Sequence, residues 1–351
     1  MTSPATASVT AHPAMLWDAL PDGRVRCRLC AFRCILRPGT RGVCRVRENR
    51  DGALVTLVYG RAVGEEIDPI EKKPLFHFLP GSRSYSIATV GCNFRCQFCQ
   101  NWEISQIVRD AQLIFGRALP PERVVASALE SGCASIAYTY TEPTIFFEYA
   151  YDTARLAREA GLRNVFVTNG YETPEAVEAI APYLDAANVD LKAFSEDYYR
   201  RVCGARLAPV LDTLRLMVKL GVWVEVTTLL VPGLNDSDEE LRALTGFLAE
   251  ELGPDVPWHV SRFFPAYKMA EHPATPVESV RRALRIGREA GLRYVYGGNL
   301  PLSEGEEDTV CPNCSRVVVE RSGVWLRANH LREGCCPGCG FAIPGVWDGV
   351  R

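Results

Sequence analysis

From Ser84 to Asn299 the chain alternates short apolar runs with amphipathic stretches, and this alternation restricts the fold more than any other feature. The runs SYSIATV, SIAYTY (135–140), NVFVTN (164–169), AANVDLKA (186–193), WVEVTTLLV (223–231), WHVSRFF (258–264) and YVYGG (294–298) are rich in β-branched and aromatic residues and read as strands. Between them lie helical patterns such as PERVVASALESG (121–132), with Pro near its start and Gly past its end. TIFFEYAYDTARLAREAG, TPEAVEAIAPYL, LAPVLDTLRLMVKLG, SDEELRALTGFLAEELG and PVESVRRALRIGREAG continue the series. Such alternation predicts an α/β fold with a parallel sheet wrapped by helices, either an open barrel or a doubly wound sheet. In both, ligands collect at the C-terminal ends of the strands. That rule sorts the motifs.

The chain has 351 residues, enough for one large core plus smaller modules. A formal net charge of −3 gives no global pull toward nucleic acid or membrane. The first residues, MTSPATASVTAHPAM, lack the charged and apolar regions of a signal peptide. No apolar run approaches the roughly 18 residues needed to span a bilayer. A soluble, cytoplasmic protein is expected. In that compartment the 14 cysteines point to metal binding or catalysis rather than disulfides.

Three cysteine clusters divide the chain. Residues 1–20 read as a weakly ordered lead-in, and 21–80 as an N-terminal module carrying Cys27, Cys30, Cys34 and Cys44 (C-x2-C-x3-C-x9-C). Four thiolates close either a structural zinc or an auxiliary iron–sulfur cluster. Nine arginines lie between Arg24 and Arg50 against one acid, Glu48, a face that balances thiolate charge and permits an acidic partner or RNA without requiring one. His77, between Phe76 and Phe78, reads as packed rather than catalytic. The core spans 81–300. The last module, 301–351, carries Cys311-x2-Cys314 and Cys336-x2-Cys339 around a hairpin-like VVVE…VWL, the ligand pattern of a zinc ribbon. Cys336 is taken over Cys335 because its CPGC mirrors CPNC.

The middle cluster differs. The first core strand runs into GCNFRCQFCQNW and delivers Cys92, Cys96 and Cys99 as C-x3-C-x2-C, with no histidine or fourth cysteine nearby in sequence. Three thiolates on a four-iron cluster leave one iron open. By the strand-end rule Glu142, Asn169, Asp190 and Lys192 fall on the same rim. Glu and Asp accept from an ammonium and Lys neutralises a carboxylate, so the set suits a zwitterion.

C-x3-C-x2-C at the end of a first strand, with Phe98 before the last cysteine, resembles the radical S-adenosylmethionine (SAM) superfamily. The resemblance implies a partial (β/α)6-type TIM barrel and a [4Fe–4S] cluster on Cys92, Cys96 and Cys99. It further implies SAM chelated at the fourth iron, and a flavodoxin- or ferredoxin-like reductant. TYTEPT, VTNG, VDLK and LLVPGLND follow the order of the glycyl-radical-enzyme activases. By that likeness Glu142 contacts the SAM ammonium, Asp190 and Lys192 hold its polar end, and Asn169 and the strand-six segment from His259 to Phe264 line the pocket, with Phe98 among the cofactor-binding residues. Val167 stands where activases often carry an acid, which removes support for a monovalent-cation site built on it. The order CRLCAFRC, DPIEKKPLFHFLPGS, GCNFRCQFCQNWEISQ, YTYTEPT and WHVSRFFPAYKM is similar to the radical SAM enzymes of the AmmeMemoRadiSam system, implying association with Memo-like and AMMECR-like proteins. Two other functions compete: activation of a protein partner, and a non-catalytic metal-binding adaptor. Arg201-Val202-Cys203-Gly204, which looks like a glycyl-radical motif, is read as coincidence because it lies inside the activase-like region.

Overall fold

The structure, a computed structural model, describes residues 11–111, 113–301 and 305–347. Its centre is a sheet of β1 (Gly64–Pro69), β2 (Arg83–Ala88), β3 (Ser135–Tyr138), β4 (Arg163–Thr168), β5 (Ala186–Asp190), β6 (Trp223–Leu230), β7 (Trp258–Arg262) and β8 (Val295–Gly298). Spatial order follows chain order. Strands β2 to β8 are parallel, and β1 is antiparallel to β2. A doubly wound sheet reverses its strand order at a switch point; this order shows no reversal. The sheet has two edges, β1 and β8, which do not pair with each other.

One main helix fills each crossover: α1 (Pro121–Glu130), α2 (Phe147–Glu159), α3 (Pro174–Ile180), α4 (Ala208–Lys219), α5 (Asp238–Phe247) and α6 (Val277–Glu289). Their starts are built locally. Thr173 accepts from the Ala176 N–H and Ser237 from the Glu240 N–H, each with a side-chain oxygen at the N-cap. The strands are buried on both faces, as a helix-covered parallel sheet requires. Val165, Ala186, Val226 and Val260 are among the fully enclosed side chains.

The smaller modules are tied to this core. In the part of the lead-in that is described, His12–Pro13 pairs with Ala53–Thr56 and Trp17–Ala19 with Val25–Cys27. The Met15 N–H donates to Glu148 of α2 at 2.7 Å. Residues 1–10 lie outside the described residues. At the other end Thr309–Val310, Val317–Ser322 and Trp325–Asn329 form an antiparallel sheet, the last two as the expected hairpin. A separate core of Phe76, Tyr294, Tyr296, Cys311, Val318, Val319, Cys336 and Ile343 joins it to the main sheet. His77 is fully buried there. It meets Pro344 O at 2.7 Å and Tyr296 Oη at 2.6 Å, and burial pushes its pKa down to about 4, so the ring is neutral and structural near pH 7.

Candidate functional site

The C-terminal strand ends open onto a cavity of about 640 Å³. Cys92, Cys96, Cys99, Phe98, Glu142, Asn169, Asp190 and Lys192 all line it. His259 and Ser261 of β7 line it as well, and Glu307, Gly323 and Val324 of the C-terminal module reach its wall. A depression of about 710 Å³ beside Glu65, Tyr85 and Arg117 has no cysteine and is unrelated to this rim.

The cysteine loop leaves β2 at Gly91, whose φ of +102° is easily adopted only by glycine. The Phe94 N–H meets Cys92 Sγ at 3.4 Å, and Cys99 Sγ lies 3.2 Å from Ser105 Oγ. Arg95 N–H and Gln97 N–H donate to Cys203 O (2.8 Å) and Val202 O (3.0 Å), so the segment read as a coincidental motif braces the loop. Tertiary packing thus brings a fourth cysteine close, which sequence distance concealed. The hydrogen bond with Cys203 is the main influence raising the Cys96 thiol, followed by burial. Cys203 itself is enclosed and is not among the residues lining the cavity, which sees three thiols. Burial pushes the Cys92 thiol well above its ordinary value, with Glu142 and the other two cysteines adding to it. Burial likewise raises Cys99.

Glu142 is 1% exposed, and both of its carboxylate oxygens accept hydrogen bonds. Its Oε1 accepts from Thr144 N (3.0 Å), Thr144 Oγ1 (2.6 Å) and Thr168 Oγ1 (2.8 Å), and its Oε2 from the Asn169 N–H (2.8 Å). Burial raises its pKa against these donors. Asn169 Nδ2 donates to Asn93 Oδ1 at 2.8 Å and lies 3.9 Å from Cys92 Sγ. Lys192 Nζ pairs with Asp190 Oδ2 at 2.8 Å and stands 5.8 Å from the Phe98 ring centroid. Burial pulls the lysine down, but Asp190 and Cys96 outweigh it and hold the ammonium charged.

Three features escaped the sequence reading. Glu172, buried, shares the Thr168 hydroxyl with Glu142, and burial together with the Glu142 charge pushes its pKa up to about 8. Only its spacing of three residues from Asn169 could have pointed to it. Lys73, also on the cavity wall, meets Asp68 Oδ2 at 2.5 Å and lies 4.5 Å from the Tyr140 ring; burial lowers its pKa to about 8 despite the Asp68 carboxylate. The paired lysines of DPIEKKP were its visible sign. The third is Cys203. Cys27, Cys30, Cys34 and Cys44 do not line the cavity, nor do the C-terminal cysteines. Those last four, Cys311, Cys314, Cys336 and Cys339, gather their sulfurs within 4.8 Å of one another, whereas the Cys335 thiol faces Glu333 O.

The Radical SAM superfamily model matches residues 86–245. An uncharacterized protein of Methanocaldococcus jannaschii is 48% identical over 308 residues, covering 88% of this chain and 91% of that protein. The pyruvate formate-lyase-activating enzyme of Clostridium pasteurianum is 24% identical over 169 residues, covering 48% of this chain and 70% of the enzyme. A radical SAM methyltransferase from Sphaerobacter thermophilus shares the fold with a TM-score of 0.50 at 19% identity, over 64% of this chain and 68% of that one.

Proposed function

The chain belongs to the radical SAM superfamily, and from that premise we propose that it cleaves S-adenosylmethionine reductively and uses the product to abstract hydrogen from a substrate bound in the same cavity. The observation that carries this is the meeting of Cys92, Cys96 and Cys99 with Glu142, Asn169, Asp190 and Lys192 around one cavity of about 640 Å³. The donor set fits a [4Fe–4S] cluster: three thiols on one cavity wall, Cys96 buried and Cys92 and Cys99 half-buried, one ligand short of closing their own site. When bound, that cluster supplies one electron to the SAM sulfonium and yields a 5′-deoxyadenosyl radical.

The chain's own residues hold and shield. Glu142, kept in place by Thr144, Thr168 and the Asn169 N–H, offers a carboxylate to the SAM ammonium. Lys192, charged and braced by Asp190, faces the SAM carboxylate. Phe98 packs below that ammonium and excludes water. Lys73 and Tyr140 form the opposite wall, where the substrate sits.

We further read the sheet as a partial (β/α)6-type barrel, the chain as an AmmeMemoRadiSam-type enzyme with Memo-like and AMMECR-like partners, and Cys311, Cys314, Cys336 and Cys339 as a structural zinc site. The domain boundaries at 20, 80 and 300 belong to the same proposal. A second reading, activation of a glycyl radical enzyme with a flavodoxin- or ferredoxin-like reductant, is favoured by similarity to pyruvate formate-lyase-activating enzymes.

The test is direct. Protein reconstituted anaerobically with iron and sulfide, then given SAM and dithionite, is expected to release 5′-deoxyadenosine, and Cys99→Ala to release none. Wild type carrying a full cluster yet giving no product sinks the proposal.

A further inference from the structure

Cys27, Cys30, Cys34 and Cys44 form a second thiol set behind the cysteine loop. Burial raises the Cys30 thiol well above its ordinary value, and Cys27, Cys44 and Cys34 each raise it further. Burial likewise pushes Cys44 up to about 11, with Cys27 and Cys34 adding to it. Their backbones are tied together as well, the Cys27 N–H donating to Cys34 O at 2.9 Å. A Cβ on Gly42 would lie 3.6 Å from Cys34 Sγ and 3.9 Å from Cys44 Sγ, so its hydrogen leaves room between these two thiols.

One buried guanidinium, Arg47, and one half-buried, Arg109, attend the set. Arg47 is 1% exposed and pairs through Nη2 with Glu148 at 3.0 Å, while its Nε and Nη1 have no hydrogen-bond partner. Cys27, Cys44 and Cys30 all act on its charge. Arg109 donates to Cys92 O at 2.7 Å, its Nε is buried without a partner, and it feels both Cys92 and Cys44. Glu148 balances Arg47, whereas Arg109 has no carboxylate partner among the described residues, and an anionic thiolate–metal centre beside it would supply the counter-charge.

Size separates the two metals that suit four thiolates. Around one zinc, sulfurs at about 2.3 Å from the metal sit roughly 3.8 Å apart. The C-terminal set matches this, with Cys311–Cys339 and Cys314–Cys336 each at 3.6 Å. Among the described residues no other group of three or more cysteine, histidine or acidic ligands is gathered as those four are. The N-terminal four, like Cys92, Cys96 and Cys99, are not gathered within 4.8 Å of one another, and a four-iron cluster spaces its thiolates on separate irons.

Position then gives a role. A Cβ on Gly91, the residue before Cys92, would lie 2.8 Å from Val46 Cγ1 and 3.3 Å from Cys44 O. Cys30 bridges the backbone of Glu172, and Ala31 N–H donates to Tyr171 O at 3.0 Å, on the segment that follows Asn169. Cys27 and Cys44 are buried, whereas Cys30 and Cys34 are half-buried. Arg26, Arg37 and Arg45 nearby are exposed and have no ion-pair partner among the described residues.

We propose that this set holds a second [4Fe–4S] cluster. It relays single electrons from an acidic electron-carrier protein of the flavodoxin or ferredoxin class to the cluster on Cys92, Cys96 and Cys99, entering on the side away from the cavity. The relay rests on the function proposed above; the cluster itself does not. Each step moves one electron: the carrier is oxidised as the second cluster is reduced, and the second cluster is reoxidised as the first is reduced. No bond changes until the SAM carbon–sulfur bond breaks.

The deciding sample is the Cys92→Ala/Cys96→Ala/Cys99→Ala variant, purified and reconstituted anaerobically. About four irons and four sulfides per chain, with a paramagnetic signal on reduction, are expected. About two zincs and no iron would overturn the cluster whatever wild type does with SAM. For the relay, Cys30→Ser/Cys34→Ser is mixed with reduced flavodoxin. Loss of the fast reduction of the remaining cluster, with dithionite reduction retained, is expected, and an unchanged flavodoxin rate overturns it. Should that variant not fold, a redox titration of wild type followed by electron paramagnetic resonance replaces it. Two one-electron reductions with mutual broadening support the relay, and a single reduction overturns it.

Discussion

Thr168 shows how one hydroxyl sets the protonation of two acids. Its Oγ1 lies 2.8 Å from Glu142 Oε1, 2.9 Å from Glu172 Oε1 and 3.1 Å from the Gly170 N–H. A hydroxyl has one proton to donate. It gives that proton to Glu142 and accepts from Gly170, so the remaining contact is satisfied only if Glu172 carries a proton of its own. The pKa of Glu172 near 8, against an ordinary 4.5, agrees with the geometry. The sign follows from linkage: between pH 4.5 and 8 the folded chain keeps a proton that the unfolded chain has released, so stability falls as pH rises through that window. Glu172→Gln, which mimics the protonated acid, should flatten this slope and make the variant more stable than wild type above pH 8, by on the order of 2 kcal/mol. Urea denaturation across pH measures it, and an unchanged slope refutes the assignment. Glu142→Gln tests the binding site instead. It leaves the fold intact but weakens SAM binding to the reconstituted protein by roughly tenfold or more, as loss of a charge-assisted hydrogen bond implies; calorimetry that finds equal affinity removes Glu142 from the SAM site.

At the scale of elements, the loop between β2 and α1 is the least conventional stretch, and glycine is what permits it. Gly91 needs a left-handed φ of +102°, and any side chain there would press on Val46 Cγ1 at 2.8 Å. Gly91→Ala is expected to cost roughly 1–3 kcal/mol through strain. Because the displaced residue adjoins Cys92, it should also lower iron retention more than a comparable change at Gly161, whose Cβ would meet nothing within 4 Å. Thermal melts with iron analysis of both variants decide it. The strands and helices around the loop were legible in advance, since each carries its own period and caps. The strand read over SIAYTY (135–140) forms but stops two residues early, at Tyr138, and the predicted hairpin forms across Gly323. The role of the RVCG segment was not legible. It acts through backbone hydrogen bonds to Arg95 and Gln97, and those contacts leave no mark in side-chain pattern.

Across the whole molecule, the C-terminal module closes one wall of the cavity. Arg321 reaches the main core, donating to Phe76 O at 2.6 Å and to Thr309 Oγ1 at 2.9 Å, and Leu326 covers Gly81. The His77–Tyr296 contact and the shared core of Phe76, Tyr294 and Ile343 complete the joint. Breaking the cysteine quartet should therefore be felt beyond the module. If the quartet holds the structural metal proposed for it, Cys311→Ser is expected to abolish metal binding there and to destabilise the protein by roughly 4 kcal/mol, the range associated with losing a structural metal. Metal analysis beside denaturant unfolding checks this; retained stability in a metal-free variant contradicts it.

What the sequence determined by itself was everything encoded in local period and spacing: the α/β alternation, the three cysteine sets and the rim positions of Glu142, Asn169, Asp190 and Lys192. Strand direction and side-chain alternation carry those positions to one end of a sheet without further information. Tertiary structure alone decided that the strand order runs without reversal, that Glu172 shares a hydroxyl with Glu142, and that Cys203 lies against Cys96. It also set the Cys44–Val46 turn against Gly91. These depend on which surfaces meet, and contacts between residues far apart in the chain follow from packing rather than from any pattern within one segment.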